Sequence, residues 1–348
     1  LGMSVVVTTC GGAAILRNLG VDAEHWSLLV IDEAAQALEP ETLIPLMLKG
    51  PRCRAVLTGD WQQLGPVVRS SAADALGLSK SLMERLTAHP FYKHSASRCL
   101  VRLTRNYRSH EQLLKVPSQL FYQQQLLACA DPSTTDALLS AGKELLALTP
   151  EEAAQSKDDD AMSVDSEEEE AAGLADFPLL FYGVEGRDVR EDDSPSFYNP
   201  SEALVVCSLV KKLLASSKFT VQPSDIGVIA PYRKQVQKIR LLLRKDNLDT
   251  IKVGTVDDYQ GQEETIVFIS TTLSHTERLN VDSEYSLGFL GNPRRFNVAL
   301  TRAKSLCVVV GNPYVMLVKE HWKALLQHCI NNAAYAGCPP PLHVRGEG

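Results

Sequence analysis

The sequence predicts an α/β protein built from parallel, helix-flanked sheets. Three observations point there. Short apolar runs of strand length alternate with helical stretches. The runs repeatedly end on polar or charged residues, at the carboxyl ends where open α/β sheets place ligands. The series occurs twice, in a chain of 348 residues that is long enough for two cores.

In order, residues 4–9 are expected as a strand, followed by small residues and a short helix through Ile15, Leu16 and Leu19. Residues 27–31 form a second apolar strand ending at Asp32-Glu33-Ala34-Ala35-Gln36. A helix over 39–48 precedes a strand over 54–58 that ends at Gly59-Asp60. Helical residues 81–88 lead to a strand near Val101-Arg102-Leu103, then to Asn106-Tyr107-Arg108-Ser109-His110. Residues 149–173 turn to Ala, Ser, Asp and Glu without aromatics, which is expected to be a disordered insert.

Order resumes at 178–182, and a second series follows. It comprises a helix over 201–214, a strand over 226–230, a helix over 233–243, and strands over 252–256 and 265–271. Residues 292–304 read as an amphipathic helix with Pro293 early and four cations, Arg294, Arg295, Arg302 and Lys304. An apolar strand over 306–310 and a helix reaching about Ile330 close the series. The expected domains are 1–98 and 99–345, the second carrying the insert.

Composition excludes several classes. No apolar run approaches the ~18 residues of a membrane-spanning helix, so no membrane partner is expected. Residues 1–9 lack the basic region and cleavage site of a signal peptide. The chain opens on Leu within an apolar run, as a piece of something longer would. Eight scattered cysteines without a C-x-x-C pair argue against a disulfide framework or a metal cluster and fit a reducing compartment. The net charge is −7, but residues 151–176 carry eleven acids against Lys157, which leaves the remainder at +3. Acidity therefore does not exclude a polyanion partner.

Asp32 and Glu33 set two carboxylates just past a buried strand. Burying both is costly without a compensating cation. A Mg²⁺ carried in with a nucleotide would serve, Asp32 orienting the metal and Glu33 polarising the attacking water; a solvated pair opening a loop is the alternative. Gln63 either orients water or senses a terminal phosphate, or is a loop residue. Arg108 could reach a phosphate while Tyr107 stacks on a base, unless Ser109 simply caps a helix. Gly261 permits close backbone approach, Thr255 offers a hydroxyl to a nucleic-acid phosphate, and Glu263 could bond a ribose; a plain strand–loop–strand turn is the alternative. An arginine among Arg294, Arg295 and Arg302, held on a helix beside a sheet, is placed to stabilise charge on transferring oxygens; a solvated basic face is the alternative.

Taken together these stretches resemble a known family. Asp32-Glu33-Ala34-Ala35-Gln36, Gly59-Asp60-Trp61-Gln62-Gln63-Leu64, Asn106-Tyr107-Arg108, residues 256–263 and Asn297-Val298-Ala299-Leu300-Thr301-Arg302-Ala303 occur in the order of motifs II to VI of superfamily 1 helicases. The branch resembled is that of the nonsense-mediated-decay helicase. Within it, Ser194-Pro195-Ser196-Phe197-Tyr198-Asn199-Pro200, Pro231-Tyr232-Arg233-Lys234-Gln235-Val236, Gly288-Phe289-Leu290-Gly291-Asn292-Pro293-Arg294-Arg295-Phe296 and Tyr335-Ala336-Gly337-Cys338-Pro339 are similar to Armitage-type RNA helicases of the silencing pathway.

The resemblance implies two RecA-like domains, the first incomplete at its N-terminus, with ATP in the cleft between them. It implies Asp32 as the Mg²⁺-site carboxylate, Glu33 as catalytic base and Gln63 as γ-phosphate sensor. Arg108 and Arg302 would be the arginines that reach that phosphate. Gln36, Asp60, Gln260, Gly261 and Glu263 fall at nucleotide-linked positions, and Thr8, Thr9, Tyr107, Pro231, Tyr232 and Thr255 at nucleic-acid positions. The implied activity is ATP-driven, 5′-to-3′ unwinding or remodelling of single-stranded RNA or an RNA duplex with an overhang. Argonaute-containing complexes would be partners, in the cytoplasm or ribonucleoprotein granules. One departure stands out: no G-x-x-x-x-G-K-[ST] occurs, so the phosphate-cradling loop is expected upstream of Leu1 and the chain alone is expected to bind ATP poorly. A non-catalytic RNA-binding scaffold and a DNA helicase of the same superfamily are the alternatives.

Overall fold

The computed structural model of the chain describes residues 4–93, 98–146, 174–190, 196–278 and 290–341. The acidic insert expected at 149–173 lies outside them. The chain divides into two compact units, Leu1–Leu103 and Thr104–Gly348.

The first unit contains α1 (Ala13–Asn18), β1 (Leu28–Ile31), α2 (Glu39–Leu46), β2 (Arg54–Leu57), α3 (Ser71–Ala75), α4 (Leu82–Ala88) and α5 (Pro90–Lys93). β1 and β2 pair in parallel, from Leu28 against Arg54 to Ile31 against Leu57. A small core gathers on one side: Ile31, Ala34, Ala35 and Met83, with Leu29, Leu57 and Trp61 packed on it. Period-2 alternation turns Leu28 and Val30 the other way, each 54 % exposed. α4 starts one residue later than expected because Ser81 is its cap, its hydroxyl accepting from Glu84 N–H at 3.1 Å.

Two expected strands are absent. Residues 4–9 and 101–103 form no ladder, and Val7 and Leu103 are about nine-tenths exposed. An apolar run becomes a strand only when a neighbour takes up its backbone donors and acceptors. Among the described residues no strand lies alongside either run.

The second unit opens with β3 (Arg105–Asn106), α6 (Glu111–Phe121), β4 (Leu127–Ala128), α7 (Pro132–Thr135) and α8 (Ala141–Leu146). Then come β5 (Leu179–Gly183), the antiparallel pair β6 (Val189–Arg190) and β7 (Phe197–Tyr198), α9 (Pro200–Ala215), β8 (Ile226–Ile229), α10 (Arg233–Lys245), β9 (Lys252–Gly254) and β10 (Glu264–Ser270). α11 (Pro293–Leu300), β11 (Ala303–Gly311), α12 (Pro313–Met316), α13 (Glu320–Asn331) and β12 (Tyr335–Gly337) complete it. Six strands form one sheet in the order β12-β5-β11-β10-β8-β9, every pair parallel.

Strands buried on both faces read as unbroken apolar runs, and β8, β10 and β11 do so. Val228, Phe268 and Val308 are fully buried. Val236, Ile239 and Leu243 form the apolar stripe that seats α10 on this core. α11 is fixed by Phe296, whose ring meets Trp322 of α13 edge-on at 4.8 Å. β11 begins three residues before the expected 306, because Ala303 pairs with Glu264 ahead of a register shift. Ser109 does not cap α6. His110 does, its Nδ1 accepting from Gln112 N–H at 3.1 Å, while the buried Ser109 hydroxyl donates to Ala303 O at 2.7 Å.

Candidate nucleotide and nucleic-acid sites

In the first unit the in-register pairing of β1 and β2 brings their carboxyl ends side by side, and each feeds a polar turn. Asp32 Oδ1 accepts from Glu33 N–H at 3.0 Å and from the Thr58 hydroxyl, just past β2. Ala34 N–H donates to Thr58 O at 2.7 Å. Gly59 allows the contact: its φ is +149°, and a Cβ there would lie 3.1 Å from both Ala34 N and Ala35 N. Glu33 adopts φ +51°, uncommon for a residue with a side chain, and its Oε2 accepts from Gln36 Nε2 at 2.7 Å. On the second turn Asp60 Oδ2 accepts from Gln63 Nε2, and Oδ1 from Gln62 N–H, both at 2.9 Å.

Asp32, Glu33 and Gln36 thus share one turn, and Asp60 and Gln63 the turn bonded to it. Asp32 and Glu33 are exposed rather than buried. Water solvates the pair, so no compensating cation is demanded, and that part of the sequence reasoning fails. A single exposed carboxylate still fits Mg²⁺, which keeps several waters and takes its other ligands from phosphate oxygens. Among the described residues no group of three or more His, Cys, Asp or Glu could hold a metal alone. Asp32 would be the protein ligand, and the ion would neutralise charge on the phosphates. Thr8 and Thr9 are exposed in the segment before α1, where Thr9 Oγ1 accepts from Gly12 N–H at 3.0 Å.

In the second unit the expected residues separate to opposite ends of the sheet. Residues 255–263 leave the carboxyl end of β9 and arrive at the amino end of β10. Glu263 therefore sits with Arg302, which immediately precedes β11, and with Arg108 and Lys304. Glu263 forms ion pairs with Arg108 Nε and, at 3.1 Å, with Lys304 Nζ. Partial burial works to raise its carboxyl, but the hydrogen bonds from Arg108 and Lys304 outweigh it and hold the group below the usual range. Arg108 Nη1 also donates to Thr301 O at 3.1 Å. Arg302 is 3 % exposed, and its fork is engaged: Nε to Val298 O at 3.0 Å, Nη1 to Gln262 O at 3.1 Å and Nη2 to the Thr301 hydroxyl at 3.0 Å. Gly261 is exposed with φ +73°, and Gln260 is half-buried beside it. Arg295 is paired with Asp257 at 2.7 Å. Tyr107 is 69 % exposed, an open ring next to this cluster in sequence.

At the carboxyl end, Thr255 N–H and its hydroxyl both donate to Asp258 Oδ2, at 2.8 and 2.9 Å. Pro231 and Tyr232 follow β8 but are buried, Tyr232 packing edge-on against Phe197 at 5.4 Å. Tyr232 therefore presents no open face for stacking here.

Sequence reasoning missed a buried polar network at this same end. Glu202, in the first turn of α9, accepts from Ser270 Oγ and Thr272 N–H, both at 2.7 Å. Asn199 Nδ2 donates to Thr272 O at 3.2 Å and Ser274 Oγ at 3.0 Å, while Gln235 Nε2 donates to Ser270 Oγ at 2.9 Å. Asp188, 3 % exposed, meets Ser274, His275 and Arg278. Glu in a helix first turn after Asn-Pro was the available signal for Glu202. Asp188 carries none, because its partners lie some 86 or more positions away in sequence.

Comparisons with known proteins agree on one family. Residues 78–314 match a family model described as an AAA domain, and residues 2–71 match a second of the same description. The chain is 42 % identical to "RNA helicase Mov10l1" of Homo sapiens, over 97 % of this chain and 27 % of that protein. It is 38 % identical to "Putative helicase MOV-10" of Gallus gallus over 96 % of this chain and 35 % of that one. It is 33 % identical to "Probable RNA helicase armi" of Drosophila melanogaster, over 98 % of this chain and 28 % of that one. The chain thus spans about a quarter to a third of the length of these curated relatives.

Proposed function

The chain belongs to the AAA-domain family whose model covers residues 78–314, and from that premise we propose that it is the motor part of an ATP-dependent RNA helicase. The observation that carries the reading is the pair of bonded turns at the ends of β1 and β2, which present Asp32 and Glu33 to solvent with Gln63 on the adjoining turn. Two carboxylates and an amide so placed can orient a divalent ion's ligands, take a proton from water and respond to a terminal phosphate. The relatives named as RNA helicases support RNA over DNA as substrate, and helicase over non-catalytic scaffold.

In this reading Asp32 helps to hold Mg²⁺, Glu33 is the water-activating base, and Arg108 and Arg302 stabilise charge on the transferred phosphate. Arg302 makes at least three bonds to its own unit and is 3 % exposed, so its role calls for part of its guanidinium to be uncovered to the phosphate. Thr255 would contact the nucleic-acid backbone by phosphate and sugar rather than base identity. Single-stranded RNA or a duplex with an overhang, 5′-to-3′ movement, Argonaute-containing partners and residence in the cytoplasm or ribonucleoprotein granules complete the proposal, all supported by the silencing-type likeness. Glu33→Gln in the full-length protein is the test. RNA-stimulated ATP turnover is expected to fall by about 10²-fold or more while ATP binding persists, and unchanged turnover would refute the assignment of Glu33.

A further inference from the structure

The segment that leaves β10 is braced by two buried carboxyl groups. Thr272 has φ +72°, and Leu273 N–H reaches across it to Thr271 O at 2.9 Å. That is a γ-turn of the rare positive-φ form, which is costly for a β-branched residue and persists only when its surroundings over-determine it. Here they do. Thr272 N–H donates to Glu202 Oε2 at 2.7 Å, and Thr272 O accepts from Asn199 Nδ2 at 3.2 Å. Glu202 is fully buried and also accepts from Ser270 Oγ at 2.7 Å, which fixes the strand end just before the turn.

The far half of the segment is held by the second carboxylate. Asp188 Oδ1 accepts from Ser274 N–H at 3.0 Å and contacts His275 Nδ1, and its Oδ2 pairs with Arg278 Nη1 at 2.6 Å. The Asp188 side chain is wholly buried, whereas those of His275 and Arg278 are 48 % and 33 % exposed. The Arg278 guanidinium also lies 4.9 Å from the centre of the Phe197 ring. A buried anion placed behind two nitrogen-bearing side chains fixes their orientation while each side chain stays partly open to solvent. The strained half of the segment, residues 271–273, is fully buried, and it carries the chain out to the exposed His275.

We propose that residues 271–278 are a preformed phosphate seat for a single-stranded nucleic-acid backbone. Arg278 and His275 are its contact groups, and Asp188 and Glu202 are positioning residues. The seat rests on the nucleic-acid reading above and names part of its grip. Its location agrees with the chemistry: the loop leaves the carboxyl end of β10, two places along the sheet from the end of β9 that carries Thr255. Neither contact group reads a base edge, so the seat is indifferent to sequence.

The experiment titrates the 348-residue chain into a fluorescein-labelled oligouridylate of roughly 12 nucleotides, across about 50 to 200 mM KCl. Arg278→Gln is expected to weaken binding about tenfold and to lower the slope of log affinity against log salt by about 0.7. Asp188→Asn makes the chain more positive, so a bulk-charge effect would tighten binding; positioning predicts weaker binding, with thermal unfolding confirming that the variant folds. Arg278→Gln with unchanged affinity and slope overturns the seat even if Asp188→Asn does not fold, and tighter binding by Asp188→Asn overturns the positioning role. Failure of the unsubstituted chain to bind the oligonucleotide overturns the nucleic-acid reading and the seat together.

Discussion

In the unfolded chain the Glu202 carboxyl titrates near 4.5, whereas burial pushes it up to about 7 in the folded one despite donations from Thr272 N–H and Ser270. As pH rises through that interval the unfolded state sheds the proton first, so stability is full below 4.5 and declines until the folded group also ionises. Glu202→Gln keeps the shape and an acceptor but cannot ionise. Its unfolding free energy should therefore fall less than that of the unsubstituted chain between pH 5 and pH 8, the difference being on the order of 1 kcal/mol or more. Parallel pH profiles for the two proteins would place the carboxyl's ionisation elsewhere. This residue also marks where sequence reading stops. Asp32 and Glu33 could be found because they follow an apolar strand directly, but Glu202 matters through Thr272, seventy positions on. Burial, which decides what a carboxylate does, was misjudged for the first pair and unforeseen for the second.

At the scale of elements, β8 to β11 and the helices α9, α10, α11 and α13 were legible because those strands are apolar runs and those helices carry a 3.6-residue stripe. By contrast, α6, α7, α8, α12 and the short strands β3, β4, β6, β7 and β12 were not read from the sequence. The runs at 4–9 and 101–103 also carry apolar residues yet form no strand, since a ladder depends on a neighbour that local sequence does not name. Motif residues were legible as types, but their grouping was not: Thr255 and Glu263, read as one stretch, are a sheet's length apart. Arg302 shows the consequence. It ties the carboxyl end of α11 to the approach of β10 through Val298 O and Gln262 O. Arg302→Ala would remove the Arg302 donor from Gln262 O, while Val298 O keeps the Thr301 hydroxyl at 3.2 Å, so the loss is about 1–3 kcal/mol for the one carbonyl left without its donor. The variant is expected to lower the thermal midpoint of the second unit as well as ATP turnover in the full-length protein. Arg108→Ala, whose main partner Glu263 is 40 % exposed, should lower turnover with a much smaller change in midpoint. Equal midpoints for the two variants would show that the buried fork of Arg302 contributes little to stability.

For the whole molecule, charge is divided more sharply than the net value indicates. Residues 151–173 hold ten acids and Lys157, so removing them takes the chain from −7 to +2. The flanking residues set the conditions for such a deletion. Leu145 and Leu174 are both buried in the main core, and a Cβ on Gly142 of α8 would lie 4.0 Å from Leu174 Cδ1. Lys143 pairs with Asp176 at 2.9 Å, and Ala175 N–H donates to Ala333 O at 2.8 Å. Chain entering and leaving the acidic stretch is thus anchored close together, and closing a short loop there costs little beyond what those anchors already fix. Replacing residues 151–173 by a short Gly-Ser linker should therefore leave the thermal midpoint nearly unchanged. Association with single-stranded RNA should strengthen by severalfold at low salt, because the mean field around the chain changes sign. The gain should shrink as ionic strength passes about 0.15 M, where screening confines charge effects to about 8 Å. A gain that persists at high salt would show that charge is not its cause, and a loss of folding would show that the stretch belongs to the core.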